Sequence, residues 1–149
     1  MKTYKSNMPE ITLKYKTGNY KKTIICTSLD AFKVLVELYD DDTLDYKETV
    51  YVLFLNKANN TIGWMKISEG GISATVIDPK MIFATAKKFN VSGKILSHNH
   101  PSGQLRASDE DRKMTSNLAT IGYIMGIEVL DHVIVCRSGY YSMNDEGEM

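Results

Sequence analysis

The chain has 149 residues, and its 18 lysines and arginines balance its 18 aspartates and glutamates, so the formal net charge is zero. Hydrophobic residues make up 43% of it, which is typical of a folded domain and excludes wholesale disorder. The balanced charge excludes a dedicated DNA-coating protein, and no apolar run approaches the ~20 residues that cross a bilayer.

The first half of the chain alternates turn signals with apolar runs. It predicts a strand over 10–16, a helix over 28–39 capped by Ser28, a hairpin of strands over 49–55 and 61–67, and a short strand over 72–77. The run over 49–55 is continuously β-branched and aromatic, which indicates a central strand that is buried on both faces.

The second half predicts two longer helices between buried strands. Asp78-Pro79 begins one helix, and Ser108 begins the longest one, which ends at Gly126 and has Met114, Leu118, Ile121 and Met125 on its inner face. Strands are predicted over 91–97, 128–136 and 140–143. Helices that alternate with strands, together with a hairpin, favour a layered α/β domain with a mixed sheet.

The two ends of the chain carry opposite charge. Residues 1–25 contain six lysines and one glutamate, whereas 144–149 contain only acidic charges. We therefore divide the chain into a basic strand or arm over 1–26, a domain over 27–143 and an acidic tail over 144–149. The arm is either a solvated terminus or a contact for phosphate or an acidic partner.

The cysteines and the N-terminal segment indicate the cellular compartment of the protein. Cys26 and Cys136 are far apart and form no Cys-x-x-Cys pair, so we expect two buried thiols rather than a disulfide framework. The N-terminus lacks the apolar core of a secretion signal. Both observations predict a cytoplasmic protein without a membrane partner.

Two of the three histidines, His98 and His100, stand two positions apart where a predicted strand ends. Extended backbone sends side chains i and i+2 to the same face, so the imidazoles point together and Asn99 points away. Protonating two neighbouring imidazoles is energetically unfavourable because their positive charges repel. A divalent metal at ~2.0–2.1 Å from each nitrogen binds both rings in their neutral form and avoids this repulsion. Ordinary loop histidines show the same pattern, so the pair alone leaves both interpretations open.

A carboxylate follows at the start of the longest helix. Ser108 at the N-cap and Asp111 three residues later form a capping-box pattern, which is a sufficient structural reason for both residues. The seven-residue loop 101–107 is long enough to fold this turn back over the strand end, where Asp111 would complete a His-His-Asp set. Three protein ligands with one position open to water are typical of catalytic zinc.

Zinc catalysis of this kind also needs an acid that can carry a proton. Glu48, at the start of the central strand, is the candidate; it is otherwise an exposed charge at the end of an acidic loop. The Ser108 hydroxyl either only caps the helix or also faces a developing oxyanion. His132 lies within an apolar strand, where we expect a core histidine or one that supports a ligand, bonded to Asp131, rather than a fourth ligand.

Together these residues resemble a known family. The pattern His98-x-His100-Pro101, seven residues, Ser108-x-x-Asp111, with Glu48 upstream, resembles the JAMM/MPN+ metalloprotease motif. The segments HNHPSG, LDHVIV and GYYS, and the run from Glu48 to Asn56, are similar to the RadC-like JAB domain of bacteria. The resemblance covers residues from about 45 to 143, within the predicted domain.

The resemblance implies a three-layer α/β/α, cytidine-deaminase-like (JAB/MPN) fold. It implies one Zn²⁺ per chain held by His98, His100 and Asp111, with Glu48 as the catalytic acid/base that activates the zinc-bound water and Ser108 as the oxyanion helper. The activity it implies is that of a zinc metalloprotease, a peptidase or isopeptidase-like amide hydrolase, with a peptide or protein substrate.

Two other functions stay open at this stage. The first is a DNA-repair or mobile-element accessory that binds DNA or repair partners through the basic arm, with zinc largely structural. Residues 1–44 show no helix-hairpin-helix pattern, which longer RadC-like proteins carry and which would support DNA binding. The second is a module that binds peptides without turnover.

Overall fold

The protein is described here from a computed structural model, which covers residues 8–9, 11–16, 18–19, 21–70 and 77–149. In chain order the elements are α1 (Ser28–Val36), β1 (Thr49–Leu55), β2 (Thr61–Glu69), α2 (Pro79–Lys88), β3 (Gly93–Asn99), α3 (Asp109–Met125), β4 (Glu128–Cys136) and β5 (Gly139–Ser142). Among the described residues, no helix has the length and apolar composition needed to cross a membrane.

The five strands form one mixed sheet in the order β2-β1-β3-β4-β5. The strand β1 runs antiparallel to both β2 and β3, while β3 and β4 are parallel and β5 returns antiparallel to β4. Every residue of β1 and of β3 is buried, as the continuous apolar run over 49–55 predicts. The histidine strand therefore lies at the centre of the sheet, with β1 on one side and β4 on the other.

Each face of the sheet is covered by helices. One core packs the even-numbered side chains of β1, such as Val52, and Leu96 of β3 against α2 and α3. The other packs Leu53 and Ile95 against α1. The three-layer α/β/α architecture expected from the sequence is thereby confirmed, and α3 lies on the same face of the sheet as Leu96 and His98.

Short-range signals at the helix ends are confirmed in α2 and α3. Asp78 caps α2 with Pro79 in the first turn, and Ser108 caps α3. The helix α3 ends at Gly126, whose backbone is left-handed with φ 69°. The prediction for α1 was wrong at both ends. Thr27 rather than Ser28 is its cap, with Asp30 completing the capping box, and the helix ends at Val36 rather than at residue 39.

Predictions that depend on packing were confirmed only in part. The side chains of α3 that are buried belong to Asp111, Thr115 and Leu118, whereas Met125 is 42% exposed. Met114 and Ile121 are partly buried against the core, so three of the four predicted inner-face residues pack inward, and α3 also turns the polar Asp111 and Thr115 toward the sheet. Cys136 is buried as expected, but Cys26 is exposed.

The N-terminal strand prediction was also wrong over the residues that are described. Residues 11–16 form no regular structure, and Ile11 is 92% exposed. Tyr15 instead donates a hydrogen bond from its hydroxyl to the carbonyl of Ile62 and packs its ring on Phe89. An alternating pattern forms a strand only where a partner strand is available. Most of the predicted strand over 72–77 and several residues of the basic arm lie outside the described residues.

Candidate metal centre

The two histidines of the strand end point to the same side of the sheet, toward α3. Their Nε2 atoms lie 2.8 Å apart. Asn99 points to the opposite face, where its amide donates to the carbonyls of Leu44 and Lys47 and its oxygen accepts from the Thr49 amide. Asn99 thereby ties down the acidic loop that leads into β1, while the imidazoles stay together.

Asp111 reaches the histidines from the first turn of α3. Its Oδ1 lies 3.2 Å from Nε2 of His98, and its Oδ2 lies 3.3 Å from Nε2 of His100. Oδ2 also accepts a hydrogen bond from the Ser108 amide at 2.8 Å, which closes the capping box. The seven-residue loop thus brings the helix start over the strand end, as its length predicts.

The charges of this cluster are coupled. Burial raises the pKa of Asp111, but hydrogen bonds from His100 and His98 outweigh it and hold that pKa well below its usual range. The hydrogen bond that His100 donates to Asp111 raises the pKa of His100. The carboxylate is therefore negative at neutral pH and attracts a cation to the point between the rings, which in the absence of a metal is a proton.

The donor set fits a transition-metal ion. His98, His100 and Asp111 each offer one ligand atom, and these atoms lie within 4.8 Å of one another. Ligands at ~2.0–2.1 Å around a tetrahedral ion are about 3.3 Å apart, which is close to the separations of 2.8, 3.2 and 3.3 Å seen here. Two imidazoles and one carboxylate are ligands that suit zinc.

Glu48 lies beside this cluster through the pairing of β1 with β3. The antiparallel register pairs Val50 with His98 where the two strands end, and Glu48 lies two residues before Val50, as His100 lies two residues after His98. Its charge contributes to the raised pKa of His100, after the larger contribution of Asp111. Glu48 is half-buried and is outside the group of candidate ligands found in the described part of the chain.

Comparison with known proteins assigns the chain to a protein family. Residues 25–148 match the RadC-like JAB domain family. The chain belongs to this family. Because the match spans nearly the whole described domain, it covers β1, β3 and α3, the elements that position Glu48, His98, His100 and Asp111.

Individual relatives agree with the assignment of a RadC-like JAB domain. A UPF0758 protein of Flavobacterium johnsoniae is 38% identical over 123 residues, which are 83% of this chain and 52% of the relative. A UPF0758 protein of Thermotoga maritima is 43% identical over 103 residues, 69% of this chain and 46% of the relative. The chain thus spans about half the length of these curated relatives.

Ser108 is the other predicted site residue of this RadC-like domain. Its Oγ accepts the Asp111 amide at 3.1 Å, so its hydroxyl lies at the helix start next to the ligand carboxylate. The cap that the sequence predicts is confirmed, and the hydroxyl proton is not needed for it. The same side chain can therefore donate to a group that approaches the cluster.

The predicted partner of the His132 ring was wrong. The carboxylate of Asp131 accepts from the hydroxyl of Ser142 and from the backbone amides of His132 and Asn144. The His132 ring instead lies between His98 and α3, with its Nε2 2.7 Å from Nδ1 of His98. It supports a candidate ligand, as expected, and burial lowers its pKa well below the usual value.

Thr115 is a residue of the site that sequence reasoning missed. Its Oγ1 lies 2.6 Å from Nδ1 of His132 and 2.7 Å from the carbonyl of Asp111, and the side chain is buried. The available signal was its position four residues after Asp111, since residues i and i+4 share one helix face. The apolar face predicted for α3 drew attention away from it.

Proposed function

We propose that this RadC-like domain is a zinc-dependent amide hydrolase, of the metallopeptidase or isopeptidase type, which acts on a peptide or protein. The observation that carries the proposal is the convergence of three candidate ligand atoms, from the end of β3 and the start of α3, near a second acid, Glu48, which directly precedes β1. A purely structural zinc site is usually closed by four protein ligands, whereas this group has three.

His98, His100 and Asp111 would hold the ion. When bound, zinc would supply a Lewis acid that polarises the substrate carbonyl and lowers the pKa of water toward ~7. The side chain of His98 is 1% exposed, while those of His100 and Asp111 are 17% and 11% exposed. The cluster is therefore anchored on the buried side and reachable from solvent on the other, as a site that admits substrate must be.

Glu48 would move the proton during hydrolysis. Its carboxylate would accept a proton from the attacking water and then deliver it to the nitrogen of the leaving amine. Glu48 lies near enough to His100 for its charge to contribute to the raised pKa of that ring, and this supports the role, because a base must lie close to the reacting water and must not be consumed as a ligand.

Ser108 would orient the carbonyl group. Its Oγ is already placed by the bond from the Asp111 amide, so its hydroxyl proton can be donated to the carbonyl oxygen without a rearrangement of the helix start. A donor that is positioned beforehand stabilises the negative charge that develops on that oxygen in the transition state.

Metal analysis and activity assays test the proposal together. We expect one zinc per chain in the wild type, and hydrolysis of members of a fluorogenic peptide library or of lysine-isopeptide-linked model peptides. Glu48→Gln should keep the zinc and lose hydrolysis by at least about 100-fold, and His100→Ala should lose both. The matched control is Glu37→Gln, at an exposed acid that caps the end of α1. A wild type without tightly bound divalent metal would overturn the proposal.

The basic arm does not enter this proposal. Residues 1–7, 10, 17 and 20 lie outside the described residues, so a DNA or DNA-repair partner stays a prediction from the sequence. Duplex, forked and single-stranded DNA at low salt provide its test, because contacts to phosphate weaken strongly as salt increases.

A further inference from the structure

We infer that Thr115 and His132 are positioning residues, which hold His98 in the tautomer that leaves its Nε2 unprotonated toward Asp111 and His100. The inference rests on the metal site of the proposed function and adds to it a buried chain of hydrogen bonds that selects the protonation pattern of one ligand. The chain runs from the backbone of α3 to His132 on β4 and from there to His98 on β3.

The contacts in this chain are short and closed to water. The hydroxyl of Thr115 lies 2.7 Å from the carbonyl of Asp111 and 2.6 Å from Nδ1 of His132, whose Nε2 lies 2.7 Å from Nδ1 of His98. Thr115 is 2% exposed, His132 is 0% exposed and His98 is 1% exposed. Because water cannot replace any partner, each contact must contain one proton and one lone pair.

The direction of the chain follows from the carbonyl of Asp111, which can only accept. Its distance of 2.7 Å from the Thr115 oxygen is typical of an O–H···O bond, so the single hydroxyl proton lies there. The Thr115 oxygen must then accept at its other contact, and Nδ1 of His132 must carry the proton that it receives.

The next step follows from the protonation state of His132. A fully buried imidazole is neutral unless a carboxylate contacts the ring, and in the described structure the two ring nitrogens of His132 contact Thr115 and His98 rather than a carboxylate. A neutral ring carries one proton, so Nε2 of His132 is a bare acceptor. Nδ1 of His98 must therefore donate to it, and Nε2 of a neutral His98 keeps its lone pair.

The opposite direction would obstruct a metal. If Thr115 donated to His132, Nε2 of His132 would donate to His98 and the remaining proton of a neutral His98 would sit on its Nε2, between the candidate ligands. It would also leave two bare oxygens 2.7 Å apart at Thr115 and Asp111. One hydroxyl therefore decides which of the two patterns is stable.

The second imidazole is controlled in a simpler way. Nδ1 of His100 lies 2.8 Å from the carbonyl of Gln104, which can only accept, so this nitrogen carries the proton and Nε2 is bare. Once a metal ion replaces the proton held between the rings, both imidazoles thus offer it Nε2 lone pairs, 2.8 Å apart and next to a carboxylate. Thr115, acting through His132, thus fixes the tautomer of the buried His98, as the carbonyl of Gln104 fixes that of the more exposed His100.

Zinc affinity of threonine variants provides the first test. Thr115→Val removes only the hydroxyl and should weaken zinc binding by about 10–100-fold, measured by competition with a chromogenic chelator. Thr115→Ser keeps the hydroxyl and should restore the affinity of the wild type. Thr120→Val is the matched control, because Thr120 makes the same bond to a carbonyl four residues earlier on α3 but is exposed. Equal affinity of Thr115→Val and the wild type would overturn the inference.

Histidine NMR on the zinc-loaded wild type provides a test that needs no variant. Proteins labelled with ¹⁵N at histidine should show His132 protonated at Nδ1 and bare at Nε2, and His98 protonated at Nδ1. Protonation of His132 at Nε2 would overturn the inference even if Thr115→Val did not fold. A wild type that binds no zinc would instead overturn the proposed function, so the two failures are distinguishable.

Discussion

At the scale of single residues, the carboxylate of Asp111 serves the helix and the cluster at the same time. Its Oδ2 accepts the Ser108 amide while both oxygens face the imidazoles. A capping box and a ligand position are therefore not alternatives here. The cap fixes the rotamer of Asp111, and the fixed rotamer aims the carboxylate at the histidines.

Removing the negative charge of Asp111 separates its role in the helix cap from its role as a candidate ligand. Asp111→Asn keeps an oxygen that can accept from the Ser108 amide but loses the negative charge. We expect zinc affinity to fall by more than the about 10–100-fold typical of residues that only support a ligand. In the metal-free protein the pKa of His100 should fall toward its ordinary value, because the hydrogen bond that His100 donates to the Asp111 carboxylate raises it. Calorimetry and NMR titration measure the two effects, and unchanged values would contradict the assignment.

The control for that variant lies on the same turn. Asp109→Asn removes an acid of the first turn of α3 whose side chain is 98% exposed and contacts Arg112. It should leave both the zinc affinity and the pKa of His100 close to those of the wild type.

A second buried charge lies away from the cluster. Lys94 of β3 is fully buried, and its Nζ donates to the carbonyl of Ile127 at 3.1 Å and lies 3.8 Å from the ring centre of Phe83. Burial lowers the pKa of Lys94 from 10.5 to about 8. The hydrogen bond and the ring compensate only part of the cost of removing the ammonium group from water.

The lowered pKa of Lys94 predicts how the free energy of unfolding depends on pH. Below pH 8 the amine is charged in the folded and the unfolded chain, so its unfavourable contribution is constant. Between about pH 8 and 10.5 only the unfolded chain keeps the proton, so a rising pH favours the folded state. Relative to Lys94→Met, the free energy of unfolding of the wild type should rise across this window by up to about 3 kcal/mol. Urea denaturation at several pH values measures it, and parallel profiles would contradict it.

At the scale of elements, the end of α3 uses two glycines for different reasons. Gly126 adopts a φ of 69°, and a Cβ added there would meet no heavy atom within 4 Å. Gly122 has no such conformational need, but a Cβ there would lie 2.3 Å from the backbone oxygen of Ile127. Gly126 ends the helix in a left-handed conformation, whereas Gly122 permits the close approach of the helix to the backbone of Ile127, the residue before β4.

Alanine at each position should therefore have a different cost. Gly126→Ala requires a left-handed alanine and should destabilise the fold by about 1 kcal/mol, while Gly126→Asn should cost less. Gly122→Ala forces the backbone of α3 away from Ile127 and should cost more, about 2–3 kcal/mol. Chemical denaturation of the three variants measures the difference. Equal costs for the two alanine variants would show that the close approach at Gly122 is relieved by a small shift.

At the scale of the whole molecule, the site depends on sheet order. The strand β3 is central, so β1 brings Glu48 to one side of the histidines and β4 brings His132 to the other. The helix α3 crosses the same face and supplies Asp111 and Thr115. The candidate ligand atoms therefore meet when β3 and α3 pack together, and β1 and β4 must join them before Glu48 and His132 reach the cluster.

Zinc should consequently stabilise the whole fold. An ion that binds only the folded state at 100 times its Kd adds about 2.7 kcal/mol to the free energy of unfolding. We expect added zinc to raise the melting temperature of the wild type and a chelator to reverse the rise. His100→Ala should abolish the response, since it removes one ligand at the exposed edge of the cluster. An equal rise in His100→Ala would place the zinc elsewhere.

Much of the fold was predictable because its causes are local. The strands β1 and β4 appear in the sequence as continuous apolar runs, and the caps Asp78, Ser108 and Gly126 act within four residues of chain. The spacing of His98 and His100 likewise decides their common side, since it follows from strand geometry alone.

Other features depended on partners that are distant in the chain. The alternating segment over 11–16 lacks a neighbouring strand within the described structure, and the buried face of α3 includes, besides its apolar residues, Asp111 and Thr115, whose polar contacts reach β3 and β4. The ring of His132 was assigned to its neighbour Asp131 but bonds to His98, 34 residues away, and to Thr115, 17 residues away.

The amino-acid sequence by itself thus determined the elements, the helix caps and the set of candidate ligands, because backbone geometry and short-range hydrogen bonds act over a few residues. Only the tertiary structure decided that Asp111 meets both imidazoles, that Glu48 comes near enough to His100 to affect its pKa, and that His132 contacts both Thr115 and His98. These contacts depend on strand order, on register and on the packing of α3 against the sheet, which arise only when the distant elements bury their apolar faces together.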